Sequence, residues 1–344
     1  MDKIDAGRPN DSMSRLRIAL IYYSAFSSFI KNDYDILSRH FDVFKFNIQS
    51  AKDIFSLMAA ISKSDLSFIW FAGEHSFPAI LLSKALGKKS IIVAGGYDVA
   101  YEPEIGYGQF TLGWNKRMYT KFSLKYADRV LVVDPSLRED AVRNAGVSGE
   151  NIRYLPTGYD SDKFKPKGFK ENLVVTLGYI SNSTVKRKGL DTFVKAASYI
   201  PEAKFALIGK PQDDAIEALK RCASNNVEFT GYLPNDDLLK YFQRAKVYCQ
   251  LSAYEGLPNA LCEAMLCECV PVGTKRKGIP TAIGDTGFYV EYGDTVATVN
   301  AIKRGLTSPV ELGQKARERI MSLFPIDRRE LGLIQAITEL CKIM

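Results

Sequence analysis

Histidine is nearly absent from this chain, which has two, His40 and His75, among 344 residues. Its six cysteines (Cys222, Cys249, Cys262, Cys267, Cys269 and Cys341) form no C-x-x-C pair. That leaves little from which to build a zinc site, and reduced thiols are the plainer reading. No apolar run is as long as a membrane-spanning helix, and residues 1–14 lack the apolar core of a signal peptide. They read as a disordered leader on a cytoplasmic protein, with the inner face of a membrane as a further place of work. No G-x-G-x-x-G follows the first apolar run, so the dinucleotide fingerprint of a dehydrogenase is missing.

What is present is ordinary in bulk. The chain is 46% hydrophobic and 25% charged, as globular proteins are, and its length fits two domains. The formal charge of +7 is shared by both halves. It permits an anionic partner such as a nucleotide or a phospholipid surface without requiring one. Nucleic acid is not among the expected partners.

Apolar runs alternate with helical patterns. Strands are expected at 17–24, 67–72, 90–94 and 129–134, with helices ending near His40 and at 52–63, 77–86, 112–126 and 136–144. A stretch rich in Pro, Gly and charge at 154–168 marks a domain boundary. Strands at 173–178, 204–209, 227–231 and 247–251 then alternate with helices at 189–199, 213–223 and 235–244. Three helices close the chain at 294–304, 309–323 and 327–343. The pattern predicts an α/β protein of two doubly wound, Rossmann-like domains facing a cleft. Their spans are 15–165 and 166–325, with residues 326–344 as a helix packing back on the first domain.

Residues 249–274 read as a strand end, a tight polar loop, a short helix and a second strand, and they concentrate the chemistry. Glu255 sits in a tight loop, and Pro258 suits the start of a helix that also bears Glu263 among Ala260, Leu261, Ala264 and Met265. A carboxylate on an apolar helix is costly to bury without hydrogen bonds. Free N–H groups at the helix start favour an anion, above all a phosphate. The segment therefore reads as an anion cradle flanked by two carboxylates, a place for a nucleotide diphosphate. Taken alone, Glu255 could equally be a loop acid that favours a helix start.

Four segments in order resemble the family 4 retaining glycosyltransferases of the GT-B fold. They are Y-A-D-R-V-L-V-V-D-P-S-L-R (126–138), I-R-Y-L-P-T-G-Y-D-S-D-K-F (152–164), K-R-K-G-L-D-T-F (186–193) and E-G-L-P-N-A-L-C-E (255–263). The resemblance implies transfer of a sugar from a nucleotide-diphosphate donor to an acceptor hydroxyl with retention at the anomeric carbon, in glycan, glycolipid or polysaccharide synthesis. No tightly bound cofactor or metal is implied. Lys188 would neutralise the donor diphosphate, and Gly189 would open the following helix. Glu255 would hydrogen-bond the transferred sugar, with amides of Gly256 and Leu257 nearby, and Glu263 would accept from ribose hydroxyls.

Two departures stand out. Where many relatives have a His, this chain has Gly95, followed by Gly96, Tyr97 and Asp98; where many have an Arg, it has Tyr179. Lys186 or Arg187 is expected to supply the second positive charge, and Asp98 is the candidate for first-domain chemistry. His75, Gly95, Gly96 and Tyr97 are assigned to the acceptor side, His75 as a structural or acceptor-facing group rather than a base. The segment 114–129 has Arg117, Lys121 and Lys125 beside Trp114, Met118 and Phe122. It reads as a sheet-packing helix with a basic outer face, or as an interfacial helix on anionic lipid, which would suit a lipid-linked acceptor. Two further functions remain open. One is a nucleotide-sugar epimerase or phosphorylase of the same architecture; the other is a sugar- or lipid-binding protein that has lost catalysis.

Overall fold

The computed structural model describes residues 15–23 and 25–341, with the backbone alone at Ala51. The expected leader, residues 1–14, lies outside the described residues, as do residues 342–344.

Two six-stranded sheets, parallel throughout, form the frame. The first has the spatial order β2-β1-β3-β4-β5-β6. Its strands are β1 (Arg17–Tyr23), β2 (Asp42–Ile48), β3 (Leu66–Trp70), β4 (Lys89–Ala94), β5 (Arg129–Val132) and β6 (Ile152–Tyr154). The second has the order β12-β11-β10-β7-β8-β9. It is built from β7 (Glu171–Leu177), β8 (Lys204–Ile208), β9 (Val227–Gly231), β10 (Ala245–Gln250), β11 (Val270–Thr274) and β12 (Phe288–Val290). Central strands such as β3 and β11 are buried along their whole length, because helices cover both faces.

Three strands escape the sequence pattern. β2 is an edge strand whose residues are mostly half-buried, and β6 and β12 are three residues long, too short to show a period. Two short helices, Asn182–Lys188 and Gly278–Ile283, escape it for the same reason.

The domains touch along a continuous core. Buried apolar residues of the first domain join Tyr254, Leu257 and the helix Asn259–Leu266 of the second in one cluster. The chain crosses between the domains at residues 155–160 and returns at 324–326. The crossings lie side by side: Tyr159 N donates to Phe324 O at 2.9 Å, and Tyr159 pairs with Pro325. The final helix, Ile326–Cys341, packs on helix Ser28–His40 of the first domain. There Arg329, 1% exposed, grips both oxygens of Asp33 at 2.9 and 2.6 Å and donates to the Leu155 carbonyl at 2.8 Å. Asp33 also accepts from the Trp70 indole at 3.1 Å.

Candidate active site

Each sheet reverses its strand order once, and ligands of such sheets bind at the carboxyl ends beside that point. In the second sheet it lies between β7 and β10. Helix Asn182–Lys188 starts there at Ser181, whose hydroxyl accepts from Thr184 N at 3.3 Å, and ends at Gly189 with φ 62°. Its last turn carries the three expected cations, which the structure separates. Lys186 is exposed, and its carbonyl accepts from the Tyr292 hydroxyl at 2.5 Å. Arg187 and Lys188 turn into the cleft. Gly189 does start the next helix, Leu190–Ala197, but its own amide is spent on the carbonyls of Lys186 and Val185.

Arg187 and Lys188 converge on Glu255, beyond the end of β10. One carboxylate oxygen lies 3.0 Å from Arg187 and 3.4 Å from Lys188 and accepts from Ser252 Oγ at 2.9 Å and Gln250 Nε2 at 3.2 Å. All three charged side chains are nearly buried, 15 to 18% exposed. Burial alone would raise the Glu255 pKa, but Lys188 and Arg187 outweigh it and hold the carboxyl below its ordinary value. Burial moves Lys188 downward, against the pull of Glu255. Two cations share one carboxylate, so the cluster keeps a positive excess in a low-dielectric pocket, a setting that attracts a polyanion.

The loop after Glu255 supplies the rest. Among the described residues, the amides of Gly256 and Leu257 make no hydrogen bond. Pro258 directly precedes helix Asn259–Leu266. These groups and the cluster line a cavity of ≈ 420 Å³ that also reaches Phe29, Trp70, Phe71, Gly95, Tyr97 and Tyr107 of the first domain. Glu263, one turn into that helix, does not face it. It lines a neighbouring cavity of ≈ 230 Å³ with Asp33, Asp160, Lys163 and Asn259, and Phe29, Thr157 and Asn259 are common to both. No hydrogen bond holds the Glu263 carboxyl, and burial, only partly offset by Lys163, pushes its pKa up to about 7. The two carboxylates thus address adjoining cavities rather than flanking one anion.

On the first domain, the strand order turns at β1 and β3. Asp98 is fully buried and holds its loop together: Ala72 N donates to it at 3.1 Å and Gly96 N at 2.8 Å. Burial raises its pKa to about 6 despite those bonds. Asp98 thereby shapes the loop, and it also lines the cavity of His75. The Gly95 and Gly96 turn presses on the second domain, where a Cβ at Gly256 would sit 2.3 Å from the Gly95 carbonyl oxygen. His75 lies near β3, its Nε2 2.8 Å from the Trp70 carbonyl, stacked on Tyr23 at 5.7 Å, and burial lowers its pKa. It lines a third cavity of ≈ 320 Å³ with Tyr23, Phe71, Tyr97, Gln109 and Lys116.

Further side chains of both domains meet at the cleft. The Tyr107 ring lies 5.0 Å from the Arg187 guanidinium and 5.4 Å from the Tyr254 ring. Asp140 of the first domain accepts from the Tyr254 hydroxyl at 2.7 Å and from Lys277 at 2.8 Å. This buried latch closes the domains beside the cation cluster. Lys277 holds the strained φ of 49° while reaching across.

Residues 173–308 match the family model described as Glycosyl transferases group 1. A phosphatidylinositol N-acetylglucosaminyltransferase subunit from Arabidopsis thaliana is 24% identical over 222 residues, 62% of this chain and 49% of that protein. Alpha-galactosylglucosyldiacylglycerol synthase of Streptococcus pneumoniae is 26% identical over 160 residues, 41% of this chain and 42% of that protein. The chain therefore spans about half the length of these curated relatives. Among solved structures, HepE of Anabaena in complex with UDP and glucose superposes with a TM-score of 0.78 at 15% identity, covering 94% of this chain and all of that one. Sucrose-phosphate synthase of Thermosynechococcus elongatus gives 0.76 at 21% identity, covering 95% of this chain and 99% of that one. The two-domain GT-B fold is thus established, and the chain resembles the group 1 glycosyl transferases.

Proposed function

We propose that this protein transfers a sugar from a nucleotide-diphosphate sugar to an acceptor hydroxyl, with retention of anomeric configuration. The observation that carries the reading is the pair Arg187 and Lys188 sharing Glu255 at the switch point, beside the unpaired amides of Gly256 and Leu257. The donor diphosphate displaces part of the Glu255 contact and lies against Lys188, Arg187 and the two amides. Glu255 then turns a freed oxygen to a hydroxyl of the transferred sugar. The ribose reaches Glu263. As the sugar–phosphate bond breaks, the cations take up the charge growing on the diphosphate. The acceptor attacks from the same face, and the departing phosphate oxygen removes its proton. This chemistry asks the protein for position and charge, which suits a site where Asp98 and His75 are engaged with backbone. The family match and the nucleotide-sugar enzymes among the relatives support the same reading.

The acceptor enters from the first domain, through the cavity lined by Tyr23, His75 and Tyr97. Helix Trp114–Tyr126 buries Thr120, Ser123 and Leu124, whereas Trp114 and Met118 are 76% and 52% exposed. Of the expected apolar row, Phe122 packs on Phe77 at 4.9 Å while the other two face outward. Leu81 on the adjoining helix, and Phe55 and Met58 on the helix packed beyond that one, are exposed as well, which together with Arg117, Lys121 and Lys125 of this helix supports a lipid-linked acceptor reached at an anionic membrane surface. Among the described residues no helix is long and apolar enough to cross a membrane. Co-sedimentation with phosphatidylglycerol vesicles should fall about tenfold in the Trp114→Ser, Met118→Ser variant. Equal binding by that variant would remove the membrane from the proposal.

The test of the donor site is calorimetric titration with UDP-glucose and GDP-mannose, whose diphosphates have no group titrating near neutrality. A ribose hydroxyl bonds to the carboxylate of Glu263 and not to its protonated form as an equal acceptor. Binding therefore releases a proton from a group near 7, and affinity rises as pH goes from 6 to 8. The charged side chains lining the same cavity are Asp33, Asp35, Arg39, Asp160, Lys163 and Arg329. Glu263→Gln should weaken binding about tenfold at pH 8 and flatten the pH profile. Failure to bind any nucleotide sugar would sink the assignment. The side-chain-free position Gly95 favours one other reading, a binding protein without turnover, and detectable donor hydrolysis or transfer would exclude it.

A further inference from the structure

Phe71 is one of three described residues other than glycine with positive φ, at 69°. The left-handed region costs a bulky residue about 1–2 kcal/mol and persists where the surroundings over-determine it. Two contacts fix it here. The Phe71 amide donates to Val93 O at 2.9 Å, and its ring packs edge-on against Phe29 and Trp70 at 5.8 and 5.5 Å. This backbone setting carries the ring over Gly95, where a Cβ would lie 2.3 Å from ring carbon Cε1. The ring thus fills the space of the side chain that position 95 lacks. It also lines both the cavity of the Glu255 cluster and that of His75, so it is a wall shared by the two.

That wall offers a ligand no hydrogen bond. Gly95 has no side chain, and the Gly96 and Ala72 amides are turned to the Asp98 carboxylate at 2.8 and 3.1 Å. A sugar hydroxyl pressed against Phe71 would be buried without a partner, which is unfavourable, whereas a methyl group would gain apolar contact. We propose that Phe71 is a specificity-determining residue, and that the transferred sugar presents a methyl group to it. The methyl can come from C6 of a 6-deoxyhexose or from the acetamido group of an N-acetylhexosamine. The inference rests on the nucleotide-sugar reading above and narrows its donor.

Matched donors separate the possibilities. UDP-glucose is compared with UDP-6-deoxyglucose and UDP-N-acetylglucosamine, and GDP-mannose with GDP-6-deoxymannose, by Kd and by rate of donor hydrolysis. In the pair bearing the right base, a methyl donor should exceed its hydroxyl parent by a factor on the order of 10 to 100. The 6-deoxy and acetamido arms identify which methyl is read. Phe71→Asn keeps a residue that tolerates the left-handed backbone and makes the wall polar. It should bring the preference within about threefold of unity, with the Kd for UDP or GDP itself unchanged. Phe71→Leu should retain the preference. Parents favoured in every pair, or a preference unmoved in Phe71→Asn, would overturn the proposal alone. Absence of any nucleoside diphosphate binding would overturn the functional reading with it.

Discussion

Replacing Lys188 with Ala should lower kcat/KM for sugar transfer by about 10²–10³-fold, the scale of losing one preorganised charge at a leaving group. The side chain makes two contacts, 3.2 Å to the Leu177 carbonyl and 3.4 Å to Glu255, both inside the cavity. Its removal leaves Glu255 with Arg187 as its one remaining cation in the cluster. The Glu255 carboxyl would then titrate higher than in the intact cluster, because Lys188 is the larger of the two opposing influences. Arginine should not substitute. A Cβ built at Gly178 already lies 2.6 Å from the Lys188 chain, so the channel holds a slim ammonium stem and not a planar fork. Steady-state rates and nucleotide Kd, measured on Lys188→Ala and Lys188→Arg, check this. Both variants within tenfold of the parent would mean that the diphosphate is neutralised elsewhere.

The largest stability effect should come from Arg329→Ala. Breaking a buried ion pair by deleting one partner costs about 3–5 kcal/mol, because the other charge stays in the interior. Asp33 would keep the Trp70 indole and lose both guanidinium bonds, while the carbonyl of Leu155 would lose its donor. The transition of the first domain in thermal unfolding should move down on the order of 10 °C. Removing both charges in Arg329→Met, Asp33→Leu should cost less than Arg329→Ala alone, since no orphan charge remains. If the double variant is the less stable one, the pair contributes more than its mutual neutralisation.

Both effects depend on features that the sequence displays unequally. The expected strands correspond to β1, β3, β4, β5 and β7 to β11; apart from β9, whose V-E-F-T alternates at a sheet edge, they show as apolar runs because helices cover both of their faces. β2 does not, because an edge strand with a half-exposed face can alternate loosely. Lys188, Glu255 and Glu263 can be picked out as charges in unusual apolar or glycine-flanked settings. Phe71 cannot, since its meaning lies in a backbone angle and in the empty position 24 residues later. Nor can the latch of Tyr254 and Lys277 on Asp140, whose partners stand 114 and 137 residues apart in the chain. Helix Asn182–Lys188 separates Arg187 from Lys186 by facing one inward and the other outward, and seven residues are too few for that facing to register as a period.

The side-by-side crossings at Tyr159 and Phe324 have a modular consequence. The final helix belongs with the first sheet, so the stretch between the crossings is topologically an insert whose two ends meet at a 2.9 Å hydrogen bond. Such an insert can be exchanged as one block with a homologous block, at two neighbouring seams and without rethreading the host. Grafting and recombination, in the laboratory or over descent, would then pair one recipient scaffold with many donor halves, and the latch residues Asp140, Tyr254 and Lys277 are the surface such a graft must match.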